Sequence, residues 1–215
     1  SLSDGTYSNC TIMVTDNLGN SVTMNIGLFV IDTTAPTVSS ISPTDNSTDV
    51  SVSTTVEVTF SEAMSTSTIT TNTENTTCSG SFQLSSDNFT TCIKMSAAPS
   101  ASNSDKTFTS TPSDNLSRGT NYKLRITTSA KGTSSNSLAS DYTTTNGFTT
   151  MEAGTITGGV LSEYSDSALS GVSVSFAKSG TTVDNTTTDS SGDFSQTLIL
   201  GTYTLTYSKS GYLDE

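Results

Sequence analysis

The chain has 215 residues, 31% of them hydrophobic, with Ser and Thr supplying two in five, and eight basic against twenty acidic residues leave a net charge of −12. So few apolar side chains cannot fill one large core, which favours several thin modules, and so acidic a surface repels nucleic acid and anionic lipid. No apolar run approaches the roughly 18–20 residues that span a bilayer, so no membrane insertion of this segment is expected.

Apolar residues fall in short alternating runs, the period of half-buried strands. The first runs are "GTYSNCTIMVTD" and "SVTMNIGLFVI", separated by "NLGN". Gly19 and Asn20 tolerate the positive φ of a tight turn, so residues 1–31 read as one β-hairpin. Asp4, Gly5, Tyr7, Asp16, Gly19, Asn20 and the closing "IDTTAP" resemble the last two strands of a bacterial Ig-like domain. A lone hairpin is not stable in water, so the earlier strands of that domain are expected from elsewhere. Pro36 fixes φ and removes a backbone donor, and it holds Ala35 extended. Residues 32–36 are therefore read as a short stiff connector that closes one sandwich and opens the next.

From Thr37 to Met151 the alternating runs are "TVSSIS", "TTVEVTF", "SFQLS", "CIKMS", "KTFTS", "NYKLRIT" and "GFTTM". Seven short strands with turn residues between them predict a Greek-key β-sandwich. The opening "ISPTDNSTDVSVSTTVEVTFSEAM" and the closing "LSRGTNYKLRITTSAKGTSSNSLASDYTTTNGFTT" resemble the Ig-like domain of S-layer proteins, with Lys131 and Ser135 departing from that family's acidic and glycine positions. Within "FSEAM", Phe60 and Met64 are expected to pack inward and Glu62 to satisfy a turn.

Residues 154–215 resemble the carboxypeptidase regulatory-like, or transthyretin-like, β-sandwich. The resemblance is carried by Gly158, Val160, Ala168 to Val174, Thr188 to Phe194, Gly201 to Leu205, Gly211 and Tyr212. "DSSGDF" is read as a hairpin turn. Related domains carry Lys to Asn isopeptide links, but the first strand, "GTITGGV", offers no Lys, so none is expected. The chain does not begin with Met and "SGYLDE" stops in mid-pattern, so it is read as a piece of a longer protein. The expected fold is all-β: tandem Ig-like and transthyretin-like sandwiches, the first and last incomplete, divided at 1–34, 35–151 and 152–215.

Three cysteines occur. Cys78 and Cys92 bracket two potential strands with a turn near Asp87 and Asn88. A disulfide between them would contribute about 3 kcal/mol by loop entropy and implies an oxidising compartment; two free buried thiols are the alternative. Cys10 is left over as a small buried hydrophobe, a partner of a residue outside the segment, or a link between chains.

No His is present, which removes the commonest general base, the Ser-His-Asp triad and imidazole metal sites. There is no P-loop, GxGxxG or CxxC, and the acids are scattered over turns, so no catalytic residues and no enzyme activity are expected. Calcium is the one cofactor considered. A hard cation takes carboxylate and carbonyl oxygens, which Asp16, Asp32 and Asp45 would supply near the junction of the first two modules; the alternative is that they shape turns. Six N-x-S/T sequons, at Asn9, Asn46, Asn75, Asn88, Asn115 and Asn185, are as many as this composition gives by chance.

The expected function is that of a structural segment of a secreted or surface-displayed bacterial stalk, fibre or S-layer-like protein, acting as a rigid spacer. Its expected partners are neighbouring Ig-like domains of the same or adjacent chains. Two alternatives stand beside it: an adhesin binding glycan or a host protein through loops of the central domain, the Cys78 to Cys92 loop above all, and a subunit of an extracellular filament built by strand complementation.

Overall fold

The computed structural model describes residues 2–212, and among them the only helical element is a three-residue 3-10 turn, Thr66–Thr68. All else that is regular is β. Two compact units divide the chain: residues up to Leu116 with Asn121–Phe148, and Ser117–Thr120 with the chain from Thr149 onward.

The first unit begins with strands β1 (Gly5–Tyr7), β2 (Thr11–Thr15), β3 (Ser21–Asn25) and β4 (Phe29–Ile31). β1 pairs with β4 and β2 with β3, both antiparallel, so the expected hairpin forms with a break in each arm. A bond from the Ile26 amide to the Cys10 carbonyl, 2.8 Å, bridges the break. Ile12 faces Met24 and Val14 faces Val22 across the ladder, so the alternation puts these four side chains on one face. They are 45–66% exposed.

The sandwich of this unit contains β5 (Val38–Ser42), β6 (Val56–Phe60), β7 (Phe82–Ser85), β8 (Ser100–Ser102), β9 (Thr107–Ser110), β10 (Asn121–Ile126), β11 (Tyr142–Thr143) and β12 (Phe148–Thr149). One sheet has the order β5-β6-β9-β8; in the other, β10 is central and pairs with β7, β11 and β12. The period-two pattern places the core: Val56, Val58 and Phe60 on β6, Phe108 on β9, and Tyr122, Leu124 and Ile126 on β10 are all buried, with Phe82 and Leu84 of β7 opposite Ile126 and Leu124. Each buried phenylalanine here is worth about 3–5 kcal/mol against truncation to alanine. Phe60 and Met64 point inward as the sequence suggests.

One expected strand, "CIKMS", is corrected, and another, "GFTTM", forms as the short β12. "CIKMS" alternates but makes no ladder, because its successive amides go to different segments: Cys92 to Thr76, Ile93 to Leu84, Met95 to Asn72 and Ser96 to Thr111. The segment crosses between sheets. "GFTTM" is only the second half of a strand that begins at Tyr142. The halves β11 and β12 are separated by residues 144–147, where the Thr144 hydroxyl accepts the Leu124 amide at 3.0 Å in place of a ladder carbonyl. β8 and β11 carry too little apolar alternation to be read from sequence.

The second unit holds β13 (Ala153–Gly159), β14 (Ser173–Lys178), β15 (Thr181–Thr187), β16 (Asp193–Ile199) and β17 (Thr204–Ser208). β13 pairs with β16, and β14 lies between β15 and β17. Val174, Phe176, Phe194 and Leu198 form the core, with Phe194 edge-on to both Phe176 and Tyr207 at 6.1 and 6.2 Å. Gly158 sits opposite Phe194 in the ladder, and a Cβ there would come within 2.8 Å of the ring. "DSSGDF" is a turn, but it does not join a hairpin: β15 runs into one sheet and β16 into the other.

Ser135, at the place where the resembled family carries glycine, has φ +70° and is exposed. A side chain in this left-handed region costs about 1–2 kcal/mol, partly offset by the freedom glycine gains in the unfolded chain. Ser135→Gly is therefore expected to stabilise the first unit by about 0.5–1 kcal/mol, read as a rise in the denaturant midpoint at unchanged slope; a fall would show that Ser135 is not strained.

Candidate functional site

The loops are organised around aspartates that accept backbone amides. At the hairpin tip, Asp16 Oδ1 takes the Leu18 and Asn20 amides, each at 2.9 Å, and Oδ2 takes Asn20 Nδ2. Gly19, at φ +86°, donates to the Asp16 carbonyl. The same turn recurs in the second unit: Asp189 Oδ1 takes the Ser191 and Asp193 amides at 2.8 and 3.0 Å, and Gly192, at φ +78°, donates to the Asp189 carbonyl. Of the two residues expected to tolerate positive φ at the first tip, only Gly19 adopts it.

Asp45 bridges sequence positions a hundred residues apart. Its Oδ1 accepts the amides of Asn146 at 3.0 Å and Gly147 at 2.6 Å, and the Asn46 amide returns a bond to the Gly147 carbonyl. Gly147 is buried at φ +74°, and a Cβ there would run into the Tyr122 carbonyl, so no larger residue fits. The carboxylate thereby fastens the loop after β5 to the break between β11 and β12.

The most constrained exposed loop follows β7. Cys78 and Cys92 form a disulfide across 14 positions, with Cα atoms 4.9 Å apart. Inside it, the Ser85 hydroxyl accepts the Asp87 and Phe89 amides and donates to Asp87 Oδ1. Asp87 also accepts the Thr91 amide and hydroxyl, at 2.9 and 2.7 Å. These bonds, the Thr91 hydroxyl first, pull the Asp87 carboxyl down to about 2. Asn88 and Phe89 both have positive φ, +55° and +63°, a rare state for an aromatic residue. The Phe89 ring lies under the Arg125 guanidinium, 4.1 Å from Cζ to the centroid. Arg125 Nε and Nη2 meanwhile donate to Gln83 Oε1, its neighbour across the β7–β10 ladder. A cation of strand β10 and an aromatic ring of the stapled loop are thus presented together. The sequence marked this loop through its cysteines and the Asp87 turn; Arg125, beyond the loop in sequence, carried no signal.

The three aspartates considered for calcium are not brought together. Asp16 lies at the hairpin tip, while Asp32 lies beyond β4 at the opposite end, a separation of some ten extended residues or about 30 Å. Asp32 Oδ1 accepts the Thr34 amide, and the Asp32 carbonyl takes Asn136 Nδ2 at 2.8 Å, which pins the connector to the loop before β11. Among the described residues there is no group of three or more acidic, Cys or His side chains able to hold a metal ion. The acid that does serve the connector is Asp4, whose carboxylate accepts the Thr33 and Thr34 hydroxyls at 2.8 and 3.1 Å, lowering its pKa. Glu62 has its pKa raised by partial burial and by the charge of Asp32. Cys10 is free and half-buried.

A cavity of about 610 Å³ in the second unit is floored by Val160, Leu169 and Val172 and edged by Tyr207 and Tyr212. Glu163 is the single carboxylate in its lining among the described residues.

Residues 32–150, more than half of the sequence, match the model of the bacterial Ig-like domain. The chain belongs to that family. Residues 155–215 match the carboxypeptidase regulatory-like domain beside it. Among solved structures, the Ig-like chain is similar to the N-terminal part of the bacterial S-layer protein SbsC, at 18% identity over 84% of this chain and 43% of that one, with a TM-score of 0.40. It is also similar to BcpA, the major pilin subunit of Bacillus cereus, at 11% identity over 96% and 70% of the two chains and a TM-score of 0.34. The chain spans less than half the length of that S-layer fragment. No curated protein matches it.

Asp87 gives the stapled loop a pH dependence of known sign. Its folded pKa lies below the roughly 3.9 of an unfolded aspartate. The stabilisation it provides is therefore present above about pH 4 and lost as pH falls toward 2. Thermal melts of the wild type should drop through this window more steeply than those of Asp87→Asn; parallel curves would show that the loop bonds do not favour the ionised form.

Proposed function

We propose that this chain is a structural segment of a secreted or surface-displayed bacterial protein, in which the Ig-like domain serves as a rigid spacer between neighbouring domains. The observation that carries this reading is the use made of loop carboxylates: Asp16, Asp45, Asp87 and Asp189 each accept two or more donors of a turn or strand break. Acids bound in this way fix loop shape, whereas hydrolytic chemistry would set two of them facing one cleft. A disulfide between Cys78 and Cys92 fits an oxidising, extracellular setting. Partners under this reading are adjoining domains of the same or adjacent chains.

Single-molecule extension tests the spacer role. The Ig-like domain should unfold as one cooperative event, and reducing the disulfide should lengthen that event by the contour of the 14 locked positions, about 50 Å. Gradual extension at low force, with no distinct event, would end the spacer reading.

One observation favours a second reading, an adhesin: Phe89 of the stapled loop paired with Arg125 of β10. Strained, over-determined loops concentrate at binding sites, and aromatic and arginine side chains dominate binding energetics. Retention on a glycan or matrix-protein array that is lost in Phe89→Ala would transfer the proposal to this reading. Calcium enters neither. Asp16, Asp32 and Asp45 are assigned to turn geometry, and melting curves in calcium and in chelator should superimpose; a chelator-induced fall of several degrees would reinstate an ion at the connector.

A further inference from the structure

The fold places an intrinsically unstable dipeptide in an unusual setting. Asn146 and Gly147 form the sequence's single Asn-Gly pair, and they lie in the break between β11 and β12. In a flexible chain, Asn-Gly is the dipeptide most prone to deamidation, since glycine offers no side chain to hinder ring closure. Asn is accordingly counted among the thermolabile residues. The Gly147 amide nitrogen loses its proton and attacks Asn146 Cγ; the new N–Cγ bond forms as Cγ–Nδ2 breaks and ammonia departs. Water then opens the succinimide to aspartate or isoaspartate.

Asn146 is exposed and Gly147 is buried. The hydrogen that must leave Gly147 nitrogen points at Asp45 Oδ1, with nitrogen and oxygen 2.6 Å apart, and the Asn146 amide shares the same oxygen. A carboxylate in that position opposes the reaction twice. It holds the proton between two electronegative atoms, and its charge disfavours a second anion on the nitrogen, as one carboxylate disfavours ionisation of another. The Gly147 carbonyl, in the next peptide plane, is held in turn by the Asn46 amide, so three successive planes are each fixed by a bond, and the Gly147 nitrogen cannot swing toward Asn146 Cγ without breaking its own bond to Asp45.

We infer that Asn146–Gly147 is a latent deamidation site of the Ig-like domain and that Asp45 is its chemical guard. Conversion to isoaspartate would add a methylene to the backbone and a negative charge beside Asp45, releasing the loop after β5 from the sheet. The loop is thus held by the same carboxylate that keeps its anchor from ageing.

The test compares deamidation of the whole chain at mildly alkaline pH under three conditions: native wild type, wild type in denaturant, and native Asp45→Asn. The substitution keeps an oxygen acceptor while removing the charge. The readout is the mass gain of about one dalton, with isoaspartate, on the peptide containing Asn146. Asn103–Ser104, at positive φ in an exposed turn, serves as internal control. Native wild type is expected to react at Asn146 at least tenfold more slowly than the denatured chain, and Asp45→Asn several-fold faster than wild type with the Asn103 rate unchanged. Equal rates in native and denatured wild type would overturn the guard. So would an Asp45→Asn rate equal to wild type, or acceleration at Asn146 and Asn103 alike, which unfolding alone would produce.

Discussion

In a sandwich two sheets thick, a backbone amide that leaves its ladder must find another acceptor close by or lose a bond. This chain meets that requirement with side-chain oxygens of its own loops. Asp16 and Asp189 close turns with the same pattern of amide bonds in two different units, and Asp45 and Asp87 do the same for a strand break and a stapled loop. The net charge of −12 is therefore partly a tally of turn acceptors. Carboxylates bonded to amides are strong acceptors, and their pKa values fall where those bonds are densest, as at Asp87.

Hydroxyls do similar work where the chain is buried. The Thr188 hydroxyl donates to the Leu169 carbonyl and accepts the Val172 amide; Ser81 joins the Thr68 carbonyl to the Thr70 amide; Thr144 fills a gap in the ladder of β10. A buried hydroxyl so bonded costs little, and one left unpaired costs about 1–3 kcal/mol. Ser110 is one of the few without a partner among the described residues. The richness in Ser and Thr thus reflects a fold that stitches short strands together with side-chain bonds where a larger core would use apolar contact.

The all-β fold was legible because Val56, Val58 and Phe60, or Tyr122, Leu124 and Ile126, alternate so plainly that burial follows from period two. "CIKMS" shows the limit of that signal: alternation reports which side chains face inward and says nothing about where each amide finds its acceptor. The Asp16 and Asp189 turns were readable because every partner lies within four residues. Asp45 was noticed for its charge, but its partners lie 101 and 102 positions away, and only the fold brings them near. Arg125 over Phe89 was hidden for the same reason: the β7–β10 register joins them, and no local pattern encodes register between distant strands.

The division of the last strand into Tyr142–Thr143 and Phe148–Thr149 bears on how such domains coexist at high local concentration. Each half is only two residues long, too short a run to template a foreign strand, and the insert between them turns the Asn146 and Gly147 amides to Asp45. Short, interrupted borders are how β-proteins discourage sticking to their own kind. This border therefore offers no long seam along which a second copy of the domain could add.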